Sequence, residues 1–284
     1  MSKLVIVVDS ACDLPAELCE ELSLQIVPLY VNWSGKTFKD RVELDTDSFY
    51  PRLLSESELP QTSQPTPGDF VSVFEELLDQ GKDILCLTIS SQLSGTYQSA
   101  VAAKQQLEGQ GTIEVIDTLA ASVGQGLLAV EAASLASEGK ELPEIVEAVT
   151  EKRDRLRSIF TIDTLENLVR GGRLSKLQGG LGTLLDIKPV LHLEAGKIMP
   201  LTKVRSRKRA LALLDTELEK QGVNLQGQVM GVSHVREPEL AKQKADLLRE
   251  KYGAKDVIIG EIGSVIGTHT GQGCVAIFFY GEKR

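Results

Sequence analysis

Three short, mainly apolar runs at residues 4–8, 84–89 and 113–116, interrupted only by Thr88 and Glu114, constrain the fold more than any other feature. Runs of this length without polar alternation read as strands buried on both faces, as in a parallel sheet. Helical patterns lie between and after them. Residues 15–22 form one, residues 70–78 a second opened by Pro67-Gly68-Asp69 and closed by Gly81, and residues 122–137 a third that ends at Gly139. The first half is thus a βαβ arrangement with an open, mostly parallel sheet.

The second half changes character. Residues 190–193 and 197–204 flank Glu194-Ala195-Gly196, a hairpin with a short glycine-containing turn. Helices are expected at 206–221 and 238–252, and strands at 229–235, 257–262 and 275–280. The expected fold is α/β in two domains. Residues 1–157 form an open sheet with flanking helices, and residues 158–284 an α+β sandwich. A chain of 284 residues is long for a single core.

Composition matters mainly by exclusion. With 31 basic against 40 acidic residues the net charge is −9, which disfavours general binding to nucleic acid or anionic membranes. The apolar run after Met1-Ser2-Lys3 is too short to span a bilayer and has no signal-cleavage pattern, so a cytoplasmic location is expected. Cys12, Cys19, Cys86 and Cys274 form no CxxC pair, and Cys86 reads as a buried free thiol. No Walker loop, HExxH or cysteine-rich metal motif occurs, so no cofactor or metal is expected. Gly124-x-Gly126-x-x-Ala129 imitates a dinucleotide fingerprint but stands too far from its strand for the tight turn that motif requires.

Several polar, glycine-punctuated stretches are left unexplained by hydrophobic patterning. Thr62-Ser63-Gln64-Pro65-Thr66-Pro67 is either a loop with a helix cap or a rigid polar rim. Ser90-Ser91-Gln92-Leu93-Ser94-Gly95-Thr96-Tyr97 follows a buried strand. There, free N–H groups at a helix start, two hydroxyls and the close approach allowed by Gly95 suit an anion, although ordinary capping competes. His269 stands in Gly267-Thr268-His269-Thr270-Gly271, read as an exposed turn aimed at a small ligand, whereas His192 and His234 read as structural. Arg170-Gly171-Gly172-Arg173 ends a helix with two cations near a turn. Residues 203–209, which include Lys203 and Arg205, concentrate positive charge as a solvated face or a docking surface. Asp9 and Asp13 read as capping and turn residues, and Ser94 lacks the Gly-x-Ser-x-Gly frame of a hydrolase.

Taken together, the order and spacing of these stretches resemble the DegV family over nearly the whole chain. The marks are Asp9-Ser10-x-x-Asp13-Leu14-Pro15, Thr62-Ser63-Gln64-Pro65, Ser90-Ser91-x-Leu93-Ser94-Gly95-Thr96-Tyr97, Arg170-Gly171-Gly172-Arg173, Lys188-Pro189 and Gly267-Thr268-His269-Thr270-Gly271. Ser264 and Gln272 depart from the prolines frequent in that family.

The resemblance implies a non-enzymatic FakB-type protein that holds a long-chain fatty acid between its two domains. It would present the carboxylate to an ATP-dependent fatty acid kinase, the acyl-phosphate passing to membrane acyltransferases for phospholipid synthesis. It implies Thr62, Ser94, Gly95 and His269 as the carboxylate site. Arg170, Arg173, Lys203 and Arg205 would serve phosphate or kinase contact. The competing readings are a hydrolase or transferase using Ser94 or His269, and a nucleic-acid-binding regulator.

Overall fold

The computed structural model describes residues 3–174 and 187–283. The first half contains β1 (Leu4–Asp9), α1 (Ala16–Glu21), β2 (Gln25–Val27), β3 (Tyr30–Trp33), β4 (Lys36–Lys39) and α2 (Thr46–Ser55). It continues with β5 (Gln61–Ser63), α3 (Pro67–Asp79), β6 (Asp83–Thr88), α4 (Thr96–Gln106), β7 (Ile113–Asp117), α5 (Val123–Ser137) and α6 (Leu142–Arg155). After these come β8 (Leu156–Thr161), α7 (Glu166–Arg170), β9 (Lys188–Glu194), β10 (Lys197–Val204) and α8 (Arg207–Gln221). The last elements are β11 (Val229–His234), α9 (Pro238–Tyr252), β12 (Asp256–Glu261), α10 (Ser264–Thr270) and β13 (Val275–Tyr280).

The architecture is mixed α/β. Strands β2-β1-β6-β7 form a wholly parallel sheet in that order. Strands β10-β9-β8-β13-β11-β12 form a second sheet in which only β11 and β12 run parallel among the described residues. A small antiparallel sheet, β4-β3-β5, completes the set. The three apolar runs are parallel strands, as expected, and the Glu194-Ala195-Gly196 hairpin pairs β9 with β10.

Helix α5 lies between the two large sheets, packing on β1 and β6 on one side and on β8, β11 and β12 on the other. Its residues from Val123 to Ala129 are all buried, so its first two turns have no solvent-facing side, as befits a segment enclosed by core. Two glycines permit this fit. A Cβ at Gly126 would collide with Leu14, and one at Gly124 with Phe278. The Gly-x-Gly spacing that imitates a nucleotide fingerprint therefore serves close packing.

Two local expectations need correction. Residues 264–270 form helix α10 rather than an exposed turn, and most of it is buried. Its glycines misled because they act sterically. Gly267 lies against Tyr50 and Phe49, and only Gly271, with φ +66°, needs the left-handed region. Thr62, expected in a loop, belongs to strand β5. The segment spanning β2 to β5 has no clear periodicity because its strands are only three or four residues long. Among the described residues, no helix is long and apolar enough to cross a membrane.

Candidate functional site

Beyond the C-terminal ends of β2, β6 and β7, facing β8, β9, β10 and β13, lies a cavity with about 740 Å³ of empty space, its open mouth included. The position matches the general tendency of ligands to gather past the carboxyl ends of parallel strands. Its walls are chiefly apolar, with Leu29, Ile89, Phe160, Leu193, Val265 and Phe278 contributing from both halves of the chain.

The polar side chains on the lining are unequal in what they can offer. Ser122 donates to Asp13 Oδ2 at 2.5 Å, and Thr270 donates to the Ile266 carbonyl at 3.1 Å, so both hydroxyl protons are already used. Ser158 remains on β8, where the cavity adjoins a separate groove, and Thr62, Ser94, Arg173 and His269 remain together at one end. Thr62, Arg173 and His269 also line a surface depression just outside, which identifies this end as a mouth.

At the mouth Thr62 Oγ1 lies 2.7 Å from His269 Nε2. Ser94 Oγ lies 2.9 Å from Thr96 Oγ1, and no Ser94–His269 hydrogen bond is formed. Arg173 donates to the Leu93 carbonyl at 3.0 Å and to the Gly171 carbonyl at 2.6 Å, holding a half-buried guanidinium beside the opening. Burial, with the Arg173 charge adding to it, lowers the His269 pKa to about 4, so the ring is neutral near pH 7. Its other nitrogen, Nδ1, is buried with no hydrogen-bond partner among the described residues. A Cβ at Gly171 would collide with that atom, so Gly171 is needed for the space its backbone leaves.

His269 reaches this place because α10 is anchored from the other half of the chain. Asp13 Oδ1 accepts from the Gly263 N–H at 2.9 Å, and Ser264 Oγ donates to Asp40. Two acidic side chains thus sit at the helix start, where its unpaired N–H groups lie. Burial raises Asp13 to about 7, against the lowering effect of its Ser122 and Gly263 bonds. Thr268 and Thr270 return their hydroxyl protons to carbonyls one turn back.

The sequence profile of the DegV family, described as an uncharacterised protein family, matches residues 3–282. A DegV domain-containing protein of Clostridium perfringens is 41% identical, covering 100% of this chain and 99% of its own. The chain belongs to the DegV family. A family member from Thermus thermophilus, described by its fatty acid binding, superposes with a TM-score of 0.88 at 33% identity, covering 99% of this chain and 100% of its own. DegV from Bacillus subtilis, described as a fatty acid binding protein, gives 0.87 at 33% identity with the same coverage.

The segments that carry the DegV resemblance do different jobs in this fold. Asp9 accepts from the Ala11 and Ile89 N–H groups at 3.1 and 2.6 Å, tying the end of β1 to that of β6, and burial raises it to about 6. Thr66 and Asp69 form a capping box at the start of α3. Gly95 is the N-cap of α4 and packs against the Gln64 side chain; it does not line the cavity. Arg170 is exposed in the outer depression and pairs with Glu166 at 2.9 Å. Lys203 and Arg205 are exposed near the end of β10 and line neither the cavity nor that depression. Sequence reasoning did not single out the apolar wall residues or Gly171. The wall residues look like any core position, and Gly171 was concealed in a helix stop.

Proposed function

We propose that the protein binds one long-chain fatty acid, its tail in the cavity and its carboxylate at the mouth. Residues 1–157 and 158–284 act as the two domains that hold it. The observation that carries this reading is a chiefly apolar cavity with Thr62, Arg173 and His269 shared between its lining and an open depression, in a chain similar throughout to relatives described as fatty acid binding. Burying each methylene contributes about 0.8 kcal/mol, so the tail supplies most of the affinity and the mouth sets orientation. Thr62, Ser94 and His269 are the proposed carboxylate contacts, with an N–H near Gly95 as a further donor. Arg173 balances the ligand's negative charge.

The finer reading is that the bound carboxylate is presented to an ATP-dependent fatty acid kinase. The open depression outside the mouth, with Arg170 and Arg173 on its rim, supports it by leaving the headgroup reachable. Arg205 and Lys203 extend the positive surface proposed for contact with that partner. Acyl-phosphate formed there would leave for phospholipid synthesis, and the protein itself performs no chemistry.

Native mass spectrometry before and after denaturation tests the first part. About one fatty acid per chain should be released. Delipidated, folded protein that takes up no fatty acid would reject it. Kinase-dependent acyl-phosphate formation with this protein as the only lipid carrier tests the second.

A further inference from the structure

The cavity has a second boundary, remote in sequence from the mouth residues. Ser158 and Leu193 line both the cavity and a separate open groove of about 1250 Å³. They form one cross-strand pair. Strands β8 and β9 are antiparallel with Ile159 opposite His192, and the next step in that register sets Ser158 opposite Leu193. Both side chains are buried. Among the described residues, this pair is all that the two linings have in common.

Strand alternation continues the path past this wall. Phe160, Ser158 and Leu156 project from the same face of β8, the first into the cavity and the last into the groove. The row is about 13 Å long. Leu119 extends apolar surface into the groove before its charged rim at Arg153 and Glu194. The β9–β10 hairpin is braced over this passage, because Ser90 Oγ donates to the Gly196 carbonyl at 2.8 Å.

We infer that the Ser158–Leu193 pair is a gate on acyl length: short tails end inside the cavity, and tails longer than it pass the gate and run their methyl ends into the groove. A rotamer change at Leu193 opens the way without moving the backbone. This inference rests on the fatty acid reading above. While a tail remains inside, each added methylene should tighten binding about fourfold. Once the tail emerges, the gain per methylene falls.

The first test uses the wild-type protein and fatty acids carrying a thiol on the terminal carbon. Bound ω-thiol dodecanoate should be protected from a water-soluble maleimide, and bound ω-thiol docosanoate should react. The protein's own four cysteines are buried, and labelled ligand is identified by mass. The second test is Leu193→Trp, which fills the passage. It should weaken docosanoate binding by about tenfold or more relative to its effect on dodecanoate. Ser158→Leu repeats the test from the other strand should the first variant not fold. Equal protection of both thiols, or equal losses for both acids, would overturn the gate. If folded wild-type protein binds neither acid, the fatty acid reading fails, and the gate fails with it.

Discussion

Thr62 Oγ1 and His269 Nε2 lie 2.7 Å apart although 207 residues separate them in sequence. One atom belongs to an edge strand of the smallest sheet and the other to the last turn of a helix anchored by Asp13 and Asp40. A neutral imidazole donates from one nitrogen only. An unpaired buried acceptor is tolerated more readily than an unpaired buried N–H. Since Nδ1 is the buried atom without a partner among the described residues, the balance favours a proton on Nε2. Thr62 then accepts from the ring and its own hydroxyl proton is free for a ligand; His269 contacts the carboxylate only when its Nε2–H turns from Thr62 to the ligand.

The His269 ring signal should titrate with a midpoint near 4, far below the ordinary value of 6.5, in NMR spectra of ligand-free protein. Arg173→Gln should move that midpoint upward. Because the folded pKa is depressed, this group's contribution to stability is full above about pH 6.5 and is lost as pH falls toward 4. Asp9 and Asp13, raised from 3.8 to about 6 and about 7, act oppositely, their contribution being lost as pH rises through that window. A whole-protein melting curve mixes these signs, which makes the ring signal the decisive measurement. A midpoint near 6.5 would reject a buried neutral ring.

Thr62→Val and Ser94→Ala should each weaken fatty acid binding without abolishing it. A hydrogen bond to a charged group contributes about 1.5–3 kcal/mol, or roughly ten- to hundredfold in affinity, and tail burial outweighs it. Kinase-dependent turnover should suffer more than occupancy, because misplacing a reacting group by about 1 Å can cost on the order of a hundredfold. Lipid occupancy and acyl-phosphate formation measured on the same samples separate the two. Unchanged turnover in both variants would remove these residues from the headgroup site.

Adjacent glycines should respond differently to alanine. Gly171→Ala drives a methyl group into His269 Nδ1, an overpacking that costs about 1–3 kcal/mol and should shift the His269 ring signal. Gly172 has open space around it but a φ of +74°, so Gly172→Ala should cost about 1–2 kcal/mol with the ring left in place. Thermal melts and the ring signal together check both. Identical ring shifts in the two variants would refute the steric account.

Charge reversal separates two neighbouring arginines. Arg207 pairs with Asp163 at 3.3 Å and with Glu237, and donates to the Gly273 carbonyl at 2.8 Å. Arg207→Glu would place a third carboxylate among these acids and should lower the melting temperature by several degrees, roughly 1–3 kcal/mol. Exposed Arg205→Glu should leave stability within about 0.5 kcal/mol. A change in kinase coupling is therefore informative at Arg205 and confounded by folding at Arg207. Equal melting temperatures for the two variants would contradict this division.

Much of the frame was legible because burial on both faces leaves an unmistakable pattern. Residues 4–8 and 84–89 are the two central strands of the parallel sheet, and residues 113–116, with Glu114 half-exposed, are its edge. The helices at Pro67–Asp79 and Pro238–Tyr252 begin with a proline in the first turn, a position where its missing N–H costs nothing. The three-residue strand holding Thr62 is too short for any period to emerge. Helix α10 was hidden by glycines whose purpose is contact with Tyr50 and Phe49, contacts that depend on residues more than two hundred positions away. Arg173 illustrates the same limit: it was legible as a cation near a turn, but its place beside His269 depends on tertiary packing.

Helix α5 carries a practical consequence for anyone dividing this chain. Its Gly124 faces Phe278 while its Gly126 faces Leu14, so one short helix completes the interior of both large sheets at once. A fragment ending before the six-stranded sheet would leave one side of that helix bare, and a fragment beginning after it would uncover Phe278 and its neighbours. Either piece would present a contiguous oily surface to water, the usual prelude to self-association. Expressed separately, the halves should precipitate or require each other in the same cell, and complementation by co-expression is the natural way to obtain them.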